Sequence, residues 1–394
     1  MTPLLPQAGG EDLALYVHWP FCVSKCPYCD FNSHVRASID QDAWRHALLA
    51  DIAHEAHLLP GRKLTSIFFG GGTPSLMDPA TVEAVIASAT QFWAPADAIE
   101  ITVEANPNSV EAARFAELKS AGVNRLSLGL QSFDDEALRF LGRAHSAREG
   151  FTALEIAQKN FRRVSFDLIY ALPGETEDSW SAMLAQALSL GTSHLSLYQL
   201  TIEPGTRFAS MVGRREFVPL DIDAAAALYE LTGAMTAAAG MPAYEISNHA
   251  RPGRESRHNL TYWRYGDYAG VGPGAHGRRL GMRTVRHRKP ENFLSSLVRN
   301  GHGIAEEAQL SSTEASDEAL VMGLRLTEGI EPSAIAERFG SREIVDWGRI
   351  ERLVASGHVT RDGTRIALAP SGRLLLDYIL GEIAAAEPRA LAVV

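Results

Sequence analysis

The stretch Ala14-Leu15-Tyr16-Val17-His18-Trp19-Pro20-Phe21-Cys22-Val23-Ser24-Lys25-Cys26-Pro27-Tyr28-Cys29 decides how the rest of the chain is read. Its first half, an apolar run with aromatic and β-branched residues, predicts a strand over 14–18. Its second half places three thiols in the spacing C-x3-C-x2-C. They are the only cysteines among 394 residues, so none remains to pair elsewhere. Clustered thiols of that kind, in a chain without a disulfide framework, read as metal ligands. Iron–sulfur clusters are ordinarily held by four thiolates. Three thiolates leave one iron with an open position, which is what distinguishes a reactive metal site from a structural one. A zinc ion held by the three cysteines and by His18 or His34 is the alternative that the spacing leaves open.

Outward from this loop, apolar runs recur at 65–69, 99–103, 125–130, 164–170 and 195–200. Helical patterns lie between them at 41–59, 79–92, 110–121, 147–160 and 176–190. Near-continuous apolar strands alternating with amphipathic helices predict a parallel α/β sheet of six units, either an open sheet or a partial barrel. Ligands of such folds gather at the C-terminal strand ends. Glycine, proline and polar residues follow each run there, at 22–29, 70–74, 104–107, 131–132, 173–175 and 203–205.

Beyond about residue 215 the alternation stops. Residues 222–240 read as a helix, and 243–290 are rich in Gly, Arg and aromatics with short strand-like pieces. From about 312, helices at 317–326, 333–339 and 347–356 precede two strand halves around Asp362-Gly363, a strong hairpin signal. Helices followed by a small hairpin resemble a winged-helix module. The expected organisation is a core domain over 1–215, an α/β elaboration over 216–305 and a winged-helix-like domain over 306–394.

With 46% hydrophobic residues the chain has material for a large core. A net charge of −10 argues against broad nucleic-acid binding. No apolar run reaches the roughly 20 residues of a membrane span, and acidic residues stand near the N-terminus where a signal peptide carries positive charge; the expectation is a cytosolic protein. One segment departs from the acidic balance. From Arg251 to Lys289 nine Arg and one Lys face only Glu255 and Asp267, a local charge of +8.

The run 16–31 resembles the cluster loop of radical S-adenosylmethionine (SAM) proteins, and more narrowly the group containing oxygen-independent coproporphyrinogen III oxidase and heme chaperones. The resemblance extends through 70–74, 102–107, 122–133, 166–174, 195–206 and 270–277, about three quarters of the chain. It implies a partial (β/α)6 barrel, a [4Fe–4S] cluster on Cys22, Cys26 and Cys29, and SAM on the open iron. It further implies reductive cleavage of SAM to a 5′-deoxyadenosyl radical. Gly71, Gly72 and Thr73 resemble the family's turn for the methionine amino group, where glycine lets the backbone approach a ligand closely. Glu104 is placed for the ribose hydroxyls. Gln131 and Arg143 stand in family-like positions for the SAM hydroxyls and carboxylate, Arg being suited to bidentate contact. Asp167 falls inside an apolar run, where an unpaired carboxylate is costly. Tyr16 and Tyr28 bracket the loop.

Two departures set the chain apart from the oxidases: Phe31 stands where they carry a further cysteine, and only 15 residues precede Tyr16. His258-Asn259-Leu260-Thr261-Tyr262-Trp263 matches the H-N-x-x-Y-W signature of the heme chaperone group. His258 is chemically suited to axial iron ligation, and Tyr262 and Trp263 to stacking on a macrocycle; a turn-capping histidine among core aromatics is the alternative. The basic stretch suits heme propionates, with a solvated hairpin or an RNA patch as rivals. The reading is a heme chaperone that passes heme to acceptor hemoproteins, often respiratory and membrane-associated, with SAM cleavage retained and no oxidase activity. An oxygen-independent coproporphyrinogen III oxidase and an RNA-modifying radical SAM enzyme are the alternatives. Stable nucleic-acid binding is not expected, and a homodimer is left open.

Overall fold

The computed structural model describes residues 11–384; the outermost ends of the expected first and last domains, 1–10 and 385–394, lie outside the described residues. The chain enters through β1 (Asp12–Trp19) and alternates α1 (Gln41–Leu58), β2 (Lys63–Gly71), α2 (Pro79–Phe92), β3 (Ala94–Ala105), β4 (Arg125–Gln131), α3 (Ala147–Asn160), β5 (Arg163–Tyr170), α4 (Glu177–Ser189) and β6 (His194–Gln199). The strands β1 to β6 stand side by side and parallel in chain order. Then come α5 (Ile222–Ala238), β7 (Asn248–Ala250), α6 (Arg257–Trp263), β8 (Tyr268–Val271), β9 (His276–Arg279), β10 (Met282–Arg286), α7 (Pro290–Asn300) and β11 (Ile304–Gln309). These later strands extend the same sheet. β8 pairs parallel with β1, β9 to β11 continue antiparallel beyond it, and β7 closes antiparallel on β6.

The expected helix over 110–121 is two short ones, Ser109–Ala112 and Phe115–Ser120. Glu111 turns inward there, taking the Asn106 amide at 2.8 Å and the Ser75 hydroxyl.

The strands differ from the near-continuous apolar runs expected of them. One side of each is apolar and packs on the helices: Leu13, Leu15 and Val17; Ile67 and Phe69; Ile101 and Val103; Leu126 and Leu128; Phe166 and Leu168; Leu195 and Leu197. The alternate positions are polar or aromatic, and the register aligns them in rows: Tyr16 with Phe68, Phe68 with Thr102, Glu104 with Ser127, Ser127 with Ser165, Asp167 with Ser196. A period of two with polar groups on one face marks that face as a lining, not a packed core.

A buried ion-pair knot fastens the antiparallel extension to α1. Arg286 reaches Glu55 at 2.6 Å and Asp51 at 3.3 Å, while Arg279 reaches Glu55 and Glu307, each at 2.6 Å. Asp51 also accepts the amides of Gly272 and Gly303. The expectation of a cationic surface along 251–289 is corrected by this: Arg278, Arg279 and Arg286 point inward, and carboxylates from other segments neutralise two of them.

A second core gathers α8 (Ser312–Leu324), α9 (Pro332–Phe339), α10 (Trp347–Ala355), the hairpin β12 (Val359–Asp362) and β13 (Arg365–Leu368), and α11 (Leu376–Ile383). The hairpin turn is Gly363-Thr364, one residue beyond the expected Asp362-Gly363. Gly363 has φ of +60° as the first central residue, the position where a two-residue turn of the II′ kind demands glycine.

Removing one partner of a buried ion pair leaves uncompensated charge, at a cost of about 3–5 kcal/mol. Arg286→Leu is therefore expected to lower the unfolding free energy by that amount in urea titration; a loss below about 1 kcal/mol contradicts the assigned weight of the knot.

Candidate cofactor site

At the C-terminal strand ends the sheet opens into a cleft with a cavity volume of about 210 Å³. Its walls carry Cys22, Cys26 and Cys29 from the loop after β1, Gly71 to Thr73 after β2, and Glu104 at the end of β3. Gln131 at the end of β4, Arg143 beyond it and Asp167 within β5 complete them. Eleven of the twelve expected cluster and cofactor residues therefore meet in one place. Tyr16 does not: its ring lies deeper in the barrel against Phe68 and His258, with its hydroxyl 2.9 Å from His18 Nδ1.

Local sequence explains the geometry. Gly71 has φ of +111°, and a Cβ there would meet the His18 ring at 2.7 Å. A Cβ on Gly72 would meet the Phe21 carbonyl oxygen at 2.7 Å. The glycine turn is thus pressed against the segment that presents Cys22. Thr73 donates to Cys22 Sγ at 3.6 Å and receives the Asn106 side-chain amide at 3.0 Å. Gln131 has φ of +67°, left-handed backbone that a non-glycine residue keeps only where its surroundings enforce it. A bulge between Leu128 and Gln131 accompanies it.

Arg143 donates to Asn106 Oδ1 at 2.6 Å, to the Gly129 carbonyl at 3.0 Å and to Cys26 Sγ at 3.5 Å, while its Nε is buried without a partner. Asn106, which anchors both Thr73 and Arg143, was not among the expected site residues; its place after β3 in Glu104-Ala105-Asn106-Pro107 was the available signal.

Burial pushes the Cys22 and Cys29 thiols up, so a metal centre displaces protons as it binds them. The donor set suits such a centre, with three sulfurs, an unmet guanidinium N–H and the carboxylates of Glu104 and Asp167 at one cleft. The zinc alternative loses its fourth ligand. His18 Nδ1 faces the Tyr16 hydroxyl and Nε2 the Asn32 carbonyl, each at 2.9 Å, and His34 Nε2 faces Asn32 Oδ1 at 3.3 Å. Among the described residues no group of three or more His, Cys, Asp or Glu is arranged to hold a single metal ion.

The H-N-x-x-Y-W residues are not on this cleft. α6 plugs the barrel from inside, and His258 is 1% exposed. Its Nδ1 is 2.9 Å from Ser66 Oγ, its Nε2 is 2.6 Å from the Tyr262 hydroxyl, and its ring stacks on Phe68. Burial, then the charge of Arg125, lowers its pKa to about 3, so the imidazole is neutral. In this conformation both ring nitrogens are engaged. Trp263 lies under Arg325, whose guanidinium carbon is 4.6 Å from the ring centre.

Residues 16–187 match the radical SAM superfamily and residues 310–375 the HemN C-terminal domain. The mitochondrial radical S-adenosyl methionine domain-containing protein 1 of Bos taurus is 42% identical, over 96% of this chain and 88% of its own. Heme chaperone HemW of Escherichia coli (strain K12) is 37% identical, over 93% of this chain and 97% of its own. Heme chaperone HemW of Bacillus subtilis (strain 168) is 34% identical over the same shares. The solved coproporphyrinogen III oxidase (HemN) from Escherichia coli, a radical SAM enzyme, superposes with a TM-score of 0.80 at 23% identity, over 94% of this chain and 90% of its own, a likeness of fold. Among the described residues no helix is long and apolar enough to cross a membrane.

Burial, then the charge of Asp167, raises the Glu104 carboxyl from 4.5 to about 8. The folded state binds this proton more tightly than the unfolded one, so the stability it contributes is complete below pH 4.5 and lost as pH rises to about 8. Glu104→Gln is expected to flatten the fall in melting temperature across that window for the metal-free protein; an unchanged slope refutes the assignment.

Proposed function

The chain belongs to the HemW family of radical SAM proteins, and from that premise we propose that it binds heme and passes it to acceptor hemoproteins. In this reading Cys22, Cys26 and Cys29 hold a [4Fe–4S] cluster, with SAM on the open iron. The observation that carries it is the convergence of those three thiols with the glycine turn, Glu104, Gln131, Arg143 and Asp167 at one cleft. The superfamily implies both SAM and the cluster.

Each residue has work that its position explains. Gly71 and Gly72 let their turn lie against the segment that presents Cys22, where a Cβ on either would clash, and so keep the turn on the cleft wall. Glu104 and Asp167 accept from hydroxyl groups, and Arg143 offers its unmet Nε–H to a carboxylate. Tyr28, half-buried, packs its ring on Phe208 beside the loop, with ring centres 6.3 Å apart. When bound, the cluster supplies an electron to the sulfonium of SAM.

Heme is placed at the aromatic lining around α6. A neutral His258 has the lone pair iron needs, and ligation requires Nε2 to exchange the Tyr262 hydroxyl for the metal. Phe31, 62% exposed at the mouth of the cleft, stands where the oxidases carry a further cysteine, and this favours chaperone over oxidase. Transfer to respiratory acceptors, which are often membrane-associated, belongs to the same proposal.

The test is an anaerobically reconstituted protein mixed with hemin and then with an apo-hemoprotein, and separately with coproporphyrinogen III, SAM and a reductant. Heme binding with transfer, and SAM cleavage without porphyrin conversion, is the expected result. Formation of protoporphyrinogen makes the protein an oxidase and overturns the reading. Cys26→Ala is expected to remove the absorbance near roughly 400 nm that iron–sulfur thiolates give; retention of the iron refutes the ligand set. His258→Ala is expected to shift the heme spectrum, and an unchanged spectrum takes this residue out of the iron's coordination.

A further inference from the structure

A single side-chain amide governs the donors that reach two of the three thiols. Its anchor is Glu111, in the short helix Ser109–Ala112, which is 1% exposed and lies on the wall of the cofactor cleft. Asn108 caps that helix, accepting the Glu111 backbone amide at 2.9 Å and donating its side-chain amide to Glu111 Oε1 at 2.7 Å. Asn106 Nδ2 donates to the same oxygen at 3.3 Å. Glu111 Oε2 takes the Asn106 backbone amide at 2.8 Å and the Ser75 hydroxyl. Both oxygens of Glu111 are thus committed to donors.

On its other side Asn106 meets Arg143, whose guanidinium has donors and no acceptor. With an accepting oxygen at one end and a donating nitrogen at the other, the Asn106 amide lies one way round. Its Nδ2 faces Glu111 and Thr73 Oγ1, the latter at 3.0 Å, and its Oδ1 receives Arg143 Nη2 at 2.6 Å. The consequences reach the cysteine loop. Thr73 Oγ1, already accepting from Asn106, turns its hydrogen to Cys22 Sγ at 3.6 Å. Arg143, held by Asn106 and by the Gly129 carbonyl at 3.0 Å, sets Nη1 at 3.5 Å from Cys26 Sγ.

We infer that Glu111 and Asn106 are positioning residues that set the reduction potential of the cluster, by fixing the one amide that aims the Thr73 hydroxyl at Cys22 and the Arg143 guanidinium at Cys26. The inference rests on the cluster reading above and adds residues that act on the thiols through others. Reduction adds negative charge, which a donor on a ligating sulfur stabilises, so each such hydrogen bond raises the potential. Gln at position 111 keeps the shape and breaks the relay. The Asn106 backbone amide cannot turn, so the Gln oxygen stays with it and the Gln NH2 faces Asn106 Nδ2, donor against donor. The Asn106 amide then turns over. Its oxygen draws the Thr73 hydrogen away from Cys22, and its Nδ2 confronts Arg143 and loosens that residue's hold beside Cys26.

The test is a redox titration of the reconstituted protein without SAM, followed by the cluster absorbance. Glu111→Gln removes a negative charge from the cleft wall, and charge alone raises the potential. The relay gives the opposite sign: a fall of about 59 mV, a tenfold change in the one-electron equilibrium constant. A potential that holds or rises in Glu111→Gln overturns the relay and leaves the cluster in place. Should this variant lose its cluster absorbance or its melting temperature, Asn106→Leu takes its place. That substitution changes no charge and removes both bonds of the amide, and the same fall is expected of it, with the same outcomes overturning the relay. A wild type that assembles no cluster overturns the cofactor reading and the relay together.

Discussion

Everything in this molecule follows from a strand pattern that sends apolar side chains one way and polar ones the other. Outward, Leu15, Phe69, Val103, Leu128, Phe166 and Leu197 make a dense core with the helices. Inward, Glu104, Ser127, Asp167 and Ser196 forgo such packing. A buried polar group is tolerable only where it is hydrogen-bonded or meets a ligand, so the interior is committed to chemistry. Arg125 illustrates the first solution, reaching Ser165 at 2.9 Å within the wall. Glu104, held by one amide at 3.3 Å and with its carboxyl raised to about 8, has less internal support than Arg125.

A hollow barrel needs closing, and the later part of the chain does this from two sides. α6 inserts His258 and Tyr262 among Tyr16, Phe68 and Tyr268. The C-terminal module has a core of its own but reaches back through Tyr265, which belongs to that core while Arg278 stacks on it at 3.5 Å. The plug and the C-terminal module are thus joined through the same short segment after α6.

The sequence made the strand–helix order and the cysteine loop readable because both are local: periodicity marks each element, and three thiols within eight positions need no long-range information. The carboxylates and glycines at the strand exits were readable for the same reason. What escaped was set by distant pairing. The basic run 251–289 looked like a surface until Arg279 and Arg286 met Glu55 and Asp51, more than two hundred residues earlier. The partner of His258 was equally out of reach, because nothing in its own segment discloses Ser66. Tyr16 sits next to the cysteine loop in sequence, yet strand alternation turns it toward the interior.

The cysteine loop has a tie whose meaning lies in time. Asn32, just past Cys29, donates to the carbonyls of Pro273 and Arg288, across sequence separations of 241 and 256 residues, and a Cβ on Gly272 would meet the His18 carbonyl oxygen at 2.3 Å. A ribosome extends the chain by about 5–20 residues each second. The loop that emerges first therefore waits on the order of ten seconds or more for the segment that fixes it. A ligand that needs the finished cradle is accordingly bound late, after most of the polypeptide exists, and a nascent N-terminal half carries the three thiols without the segment that sets their spacing.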